Sequence, residues 1–301
     1  MVAIAVPEAS TVRTFLLPFV GDSSSRHPNL ARAKVCCMNR SVSCPFDLPR
    51  LINETSLRHV EYHPTLPSTS TTAFELLQPL LDVSPSLVLT CEQTAGRGRK
   101  GNSWWSSTGA LTFTLVIRAD ELPMTPERRP MISLAAGLAV RDALQSHAPE
   151  HDFFLKWPND VFTGEQKICG ILVEQHSLGE HQAVLIGIGA NVNNSLRDAP
   201  TEVSQRATSL FDLVDRSVEL TSVLIAILQR LDFRIGQLST QPRMALSEAN
   251  RHNILTGRTV TLQLADQTLT GTCIGIDDEG QLVLQSETAL HRCASGIVLR
   301  W

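Results

Sequence analysis

The chain predicts an α+β fold: a mixed β-sheet with packed helices, followed by a small β-barrel. Strand-like and helix-like segments are interspersed without strict alternation, which favours a mixed sheet over a doubly wound parallel one. Leu220, Leu224, Ile227, Leu231 and Leu238 recur at helical spacing and mark an amphipathic helix that closes the larger domain. From Gly257 the texture changes to short alternating segments separated by turn residues, the pattern of consecutive hairpins. A length of 301 residues fits one large domain plus one small one.

Residues 1–60 read as a disordered or targeting extension. Up to Cys44 they hold Arg13, Arg26, Arg32, Lys34 and Arg40 against only Glu8 and Asp22, with Ser23, Ser24 and Ser25 in a row. Organelle transit peptides and untargeted tails share that bias, so the expected location is intracellular: cytoplasmic, or mitochondrial or plastid if the segment is a transit peptide. The larger domain is placed at 66–250 and the smaller at 256–301.

Within the larger domain, residues 70–78 predict a short helix capped by Ser or Thr and ended by Pro79. Residues 87–93 and 110–117 predict two strands, and 131–145, behind Pro130, predict a helix apolar on most of its circumference. Strands are expected at 153–157, 168–175 and 183–192, with a turn at Gly164. Residues 259–264, 268–276, 282–285 and 296–301 supply the strands of the barrel.

Hydrophobic residues make up 43% and charged residues 19%, the composition of an ordinary globular protein. A net charge of −4 and a pI near 6.1 argue against a protein whose task is to coat nucleic acid. Seven cysteines, at 36, 37, 44, 91, 169, 273 and 293, contain no CxxC pair and no zinc-like spacing, which suits reduced thiols. No uncharged apolar run reaches the roughly 18 residues that a membrane span needs. His176 and His181 read as structural or exposed.

Two constellations carry chemistry. Gly96-Arg97-Gly98-Arg99-Lys100-Gly101, preceded by Gln93 and clamped between two predicted strands, interleaves three glycines with three cations. Such a backbone can fold tightly around an anion and neutralise several charges, so a phosphate-bearing ligand is the first expectation. Trp104 and Trp105 could shield it from water or pack at a strand start. The second is Lys156-Trp157-Pro158-Asn159-Asp160, followed by Lys167 and Gly170. A hairpin between Asp160 and Lys167 would bring a carboxylate and an ammonium to the same sheet edge, suited to a metal-chelated phosphate.

Together, and in this order, the constellations resemble the biotin protein ligases (holocarboxylase synthetases). The family's Gly-Arg-Gly-Arg-Arg-Gly loop stands at 96–101, its Lys-Trp-Pro-Asn-Asp segment at 156–160, and its downstream lysine at Lys167. Ile186-Gly187-Ile188-Gly189-Ala190-Asn191 is similar to its Gly-x-Gly-x-Asn strand, and the resemblance extends over about residues 66–301. It implies a class II synthetase-like catalytic domain and an SH3-like barrel. It further implies activation of biotin with ATP to biotinyl-5′-AMP and pyrophosphate, with Mg²⁺, then transfer to a lysine of a biotin carboxyl-carrier domain. A homodimer is left open, and neither nucleic acid nor a membrane is expected as partner.

By the same resemblance, Arg99 and Lys167 are the catalytic residues, Lys167 at the α-phosphate and Arg99 holding the adenylate. Ser70, Thr71, Thr72, Gln93, Arg97, Gly98, Gly170 and Asn191 join them in binding biotin or its adenylate. Asp160, Asn159 and Lys100 are assigned to Mg²⁺ and ATP or to orienting the incoming lysine, and no residue to a resident metal. The chain departs from the pattern at Thr72, where asparagine is common, at Lys100, where arginine is common, and at Ser107, where proline is usual. A lipoate or octanoyl protein ligase or transferase is the rival enzyme; a biotin-responsive DNA-binding repressor is the non-enzymatic rival.

Overall fold

The computed structural model describes residues 34–37, 44–197 and 199–301. The serine cluster and most of the predicted extension lie outside the described residues. Strand β1 (Lys34–Cys37) runs parallel to β2 (His59–Leu66). Between them α1 (Leu48–Glu54) is capped by Asp47, whose carboxylate accepts from the Arg50 amide at 3.0 Å. The sequence places residues 1–60 outside the folded body, yet Phe46, Leu48, Leu51, Leu57 and Val60 all join the main core. A seven-residue helix with two buried leucines has too few turns to declare itself by periodicity.

Two short helices, α2 (Thr69–Glu75) and α3 (Leu77–Asp82), lead to β3 (Ser86–Gln93), which is parallel to β2. Pro79 does not end the predicted helix. It sits in the first turn of α3, where a missing N–H breaks no helical bond. The Gly/Arg loop is a hairpin of β4 (Gly96–Arg97) and β5 (Ser103–Trp104) around a 3-10 turn at Arg99–Gly101. Then follow β6 (Leu111–Arg118), a 3-10 segment at Pro126–Met131, and α4 (Ile132–His147). Strands β7 (Phe154–Lys156), β8 (Asp160–Thr163), β9 (Gln166–Leu178) and β10 (His181–Ala190) form an antiparallel meander. The eight-stranded sheet has the order β1-β2-β3-β6-β10-β9-β8-β7, parallel from β1 to β3 and antiparallel beyond.

Four helices complete this part: α5 (Thr201–Ser204), α6 (Leu210–Val214), α7 (Leu220–Thr240) and α8 (Pro242–Arg251). The sequence predicts α7 but not α8, which buries only Ala245, Leu246 and Ala249. Helix α4 packs on α7 and against β7, β8 and β9. Arg234 of α7 is buried and binds Asp142 of α4 and Glu248 of α8, so three helices share one charged knot.

Alternate residues of the central strands serve two different layers. Leu87 and Leu89 of β3, Phe113 and Leu115 of β6, and Ile186 and Ile188 of β10 enter the main core. On the opposite face Val88, Val116 and Leu185 pack with Ala73, Leu77, Leu80 and Leu81 of α2 and α3. That second face turns from apolar to small and polar toward one end, where β10 has Gly187 and Gly189 and β6 has Thr114 and Thr112.

The C-terminal residues form a five-stranded antiparallel sheet of β11 (Thr259–Gln263), β12 (Thr268–Ile276), β13 (Leu282–Gln285), β14 (Leu290–Cys293) and β15 (Ile297–Arg300). Its order is β14-β13-β12-β11-β15, and β14 is the strand the sequence does not predict. Hydrogen bonds tie the sheet to the larger part. The Trp157 indole donates to the Gly280 carbonyl at 3.1 Å, and the Asn250 side-chain oxygen accepts from the Ile276 amide at 3.1 Å. Gly275 has φ of 144°, and a Cβ there would lie 2.4 Å from that Asn250 oxygen, so only glycine fits.

Candidate active site

Strand register builds the floor of the site. Thr90, Thr112, Gly189, Gly170, Asp160 and Lys156 are successive cross-strand partners in one row spanning six strands. The neighbouring row is Val88, Thr114, Gly187 and Leu172. The glycines give depth: a Cβ on Gly187 would lie 2.7 Å from the Ser70 hydroxyl, and one on Gly189 would lie 2.5 Å from the Trp104 indole. Lys167 reaches this face through a bulge. Gly170 and Lys167 are three apart and would face opposite ways in a regular strand. The register shift that leaves Ile168 unpaired between Val161↔Cys169 and Phe162↔Lys167 returns Lys167 to the cleft.

One end of the cleft is polar and uncharged. The Gln93 amide oxygen accepts from the Thr69 amide at 2.7 Å and from its hydroxyl at 3.2 Å. Thr114 donates to the Thr69 hydroxyl at 2.9 Å, and the Ser70 hydroxyl lies 3.2 Å from that of Thr114. Helix α2 thus presents a connected set of hydroxyl and amide groups, able both to donate and to accept.

The other end is cationic. Arg97, Arg99, Lys100, Lys156 and Lys167 line the cleft against the single carboxylate of Asp160, in a chain whose net charge is −4. Lys167 pairs with Asp160 at 2.7 Å, and its ammonium lies 5.8 Å from the centroid of the Trp104 ring. Arg99 donates to the Asn159 side-chain oxygen at 3.0 Å. Asn159 is fixed in turn, because its amide nitrogen donates to the Ile171 carbonyl at 2.7 Å. Burial pushes the Arg99 guanidinium down from its ordinary value against the pull of Asp160, although an arginine so placed stays charged. Arg97 turns outward to Glu174 at 2.8 Å.

Most residues expected from the sequence meet here: Ser70, Gln93, Arg97, Gly98, Arg99, Lys100, Asn159, Asp160, Lys167 and Gly170 all line the cleft. Three do not. Thr71 and Thr72 lie on α2 outside the lining, Thr72 being buried. Asn191 is buried, donating to the Thr208 carbonyl and accepting from the Asn194 amide, both at 3.1 Å, which fixes the loop after β10. Conversely, Thr69, Lys156, and Gly296, Ile297 and Val298 of the C-terminal sheet line the cleft, and sequence reasoning gave them no role. The alternation of Thr112 and Thr114 with apolar neighbours was the available signal for the floor. His176 stacks on Phe74 with ring centroids 4.7 Å apart, in keeping with a structural or exposed histidine.

Comparison with known proteins agrees with this geometry. Residues 62–191 match the model of the biotin/lipoate A/B protein ligase family, and residues 255–301 match that of the biotin protein ligase C-terminal domain. The bifunctional ligase/repressor BirA of Bacillus subtilis is 32% identical over 250 residues, covering 81% of this chain and 75% of its own length. A biotin–[acetyl-CoA-carboxylase] ligase of Mycobacterium tuberculosis is 32% identical over 207 residues, covering 67% and 74%. A solved biotin protein ligase from Aquifex aeolicus, in complex with biotin and ATP, aligns with a TM-score of 0.68 at 28% identity, covering 79% of this chain and 97% of that one. With a cationic Gly/Arg hairpin beside a Thr/Gly floor and both family domains in order, the chain belongs to the biotin protein ligase family and is a ligase enzyme.

Proposed function

We propose that this protein activates biotin with ATP, forming biotinyl-5′-AMP and pyrophosphate, and then transfers biotin to a lysine of a carboxyl-carrier domain. One observation carries the reading: a single cleft joins an uncharged donor and acceptor network, Ser70, Thr69, Thr114 and Gln93, to a cluster of five cations. The ureido ring of biotin, with two N–H donors and one carbonyl, suits the first part, and the nucleotide phosphates suit the second. The dithiolane of lipoate has no use for that network, which favours biotin over the rival acid. The names of the relatives, including an enzyme acting on acetyl-CoA carboxylase, point the same way.

In the first half-reaction the biotin carboxylate attacks the α-phosphorus and pyrophosphate leaves with the bridging oxygen. Lys167 stands where negative charge grows on the α-phosphate, and Asp160 fixes the position of its ammonium. Arg99, held by Asn159, engages the phosphate and acyl oxygens of the adenylate. In the second half-reaction a carrier lysine attacks the acyl carbon and AMP departs, with Asp160 placed to orient the amine. No group of three or more His, Cys, Asp or Glu residues suited to a metal occurs among the described residues. Mg²⁺ would enter as part of the nucleotide substrate, and Asp160, held by Lys167, is the carboxylate that lines the cleft beside it.

Biotin-dependent exchange of label between pyrophosphate and ATP tests the proposal. Exchange with biotin and not with lipoate is expected, and exchange with lipoate alone would overturn it.

A further inference from the structure

From Arg97 to Ser103 no residue of the Gly/Arg hairpin is buried, so apolar packing holds the hairpin at its root and not along its length. The root is firm: Gly96 abuts Gln93 and Trp104, and Trp104 lies against Gly170 and Gly189. The apex keeps its own shape. The Gly98 amide donates to the Asn102 carbonyl at 2.7 Å, the Asn102 amide donates to the Arg99 carbonyl at 3.1 Å, and Lys100 and Gly101 turn the chain with φ of 53° and 79°. Such a unit can lift from the sheet without breaking its internal bonds, so whatever holds it down acts through side chains at its flanks.

Two side chains do so, on different elements. Arg99 donates to the neutral amide of Asn159, in the turn after β7, and Arg97 donates to the Glu174 carboxylate of β9 at 2.8 Å. A groove lined by residues 95–103, Leu172 and Glu174 separates the hairpin from β9, so the ion pair bridges open space and does not merely crown a packed contact. Glu174 stands on the cleft-side face of β9, and its cross-strand partner Leu185 packs with α2 and α3. Its side chain is only 21% exposed, and Arg97 is its one ion-pair partner among the described residues. A carboxylate covered to that degree is stabilised by a fixed cation, which favours the lowered hairpin.

We propose that Glu174 is a positioning residue: by clasping Arg97 it holds the Gly/Arg hairpin down on β9 and slows escape of the activated intermediate from the cleft. The second half of this statement rests on the adenylate-forming reading above and deepens it. A lowered hairpin limits both release of a mixed anhydride and entry of water to it.

Limited trypsin digestion of the ligand-free full chain tests the clasp, because Arg99 and Lys100 are cut only when the hairpin lifts and the rate follows the lifted population. Glu174→Gln should speed cleavage there about threefold, as suits a half-exposed pair, with the unfolding midpoint unchanged. Arg97→Gln should do the same, and the double variant should cleave no faster than either single one. In about 1 M salt the difference between wild type and Glu174→Gln should shrink. Unchanged cleavage, or additive effects in the double variant, would overturn the clasp. Retention is read on protein loaded with biotin and ATP and then separated from free ligand. Glu174→Gln should lose adenylate about threefold faster while its rate of pyrophosphate exchange stays within about twofold of wild type. Faster cleavage with unaltered retention would overturn the role in holding the intermediate. Absence of exchange in the wild-type chain would overturn the parent reading and the retention claim with it, and the digestion result would then decide the clasp by itself.

Discussion

On β6, Phe113 and Leu115 enter the main core, whereas Thr112 and Thr114, each one residue away, line up with Gly189 and Gly187 on the cleft-side face. On β10 the same division separates Ile186 and Ile188 from the two glycines. One face is filled with large apolar side chains and supplies stability. The other, beyond its apolar patch under α2 and α3, is stripped to hydroxyls and hydrogen atoms beside the start of α2, and the space so left is the cleft. Substitutions on one face should therefore be felt mainly as lost stability, and those on the other mainly as lost activity.

The largest effect expected from breaking that division is on the packed face. Phe113 is fully buried, so Phe113→Ala should cost about 3–5 kcal/mol in denaturant unfolding. A loss below about 1 kcal/mol would mean that this face is not the stabilising one. Next is Lys167→Ala, which should slow adenylation about a hundredfold or more while leaving the unfolding midpoint nearly unchanged. A wild-type rate in single-turnover adenylation would remove Lys167 from the role assigned to it. Smaller again is Gly189→Ala. The added Cβ must displace the Trp104 indole, and a rise of about tenfold in the KM for biotin or ATP is expected with little change in stability. An unaltered KM would show that the indole moves aside without consequence.

The smallest effect sharpens the comparison at the far edge of the cleft-side face. There Glu61 lies between His59 and His63 on β2, with its carboxylate 2.9 Å from His63 and 3.4 Å from His59. Burial pushes the Glu61 carboxyl up, but hydrogen bonds from the two imidazoles outweigh it and hold the group at about 2, below its ordinary 4.5. A depressed carboxyl contributes stability that is present above its unfolded value and is lost as pH falls through the folded one. Stability should therefore drop as pH is lowered from 4.5 towards 2, and Glu61→Gln should flatten that slope in acid unfolding. A slope equal to that of wild type would mean that the cluster does not stabilise the fold.

Much of the cleft lining was legible in the sequence. The Gly/Arg loop, Asp160 and Lys167 stand out because glycine spacing and a short hairpin are local features, whereas Gln93 and Asn159 came from the family resemblance. What could not be read depended on contacts between distant segments. Asn191 closes a Gly-x-Gly-x-Asn strand that resembles a ligand-binding one, yet its side chain bonds to Asn194 and to the Thr208 carbonyl beyond α5. Thr69 rather than Thr71 or Thr72 reaches Gln93, because α2 packs on β3 and β6 with its first residues against the floor. Helix α1 was assigned to an extension, because its burial depends on α7, more than 150 residues later.

The amino-acid sequence by itself determined the kind of fold, the texture change at Gly257 and the charged loop that lines the cleft, since these follow from periodicity and local backbone preference. Tertiary structure alone decided which face each residue serves. Lys167 is a cleft residue only because Ile168 bulges, and Lys156 meets Trp301 only because the C-terminal sheet docks beside β8. Side-chain direction in a strand alternates with a period of two, so one unpaired residue or one domain contact reverses the assignment while the local sequence stays the same.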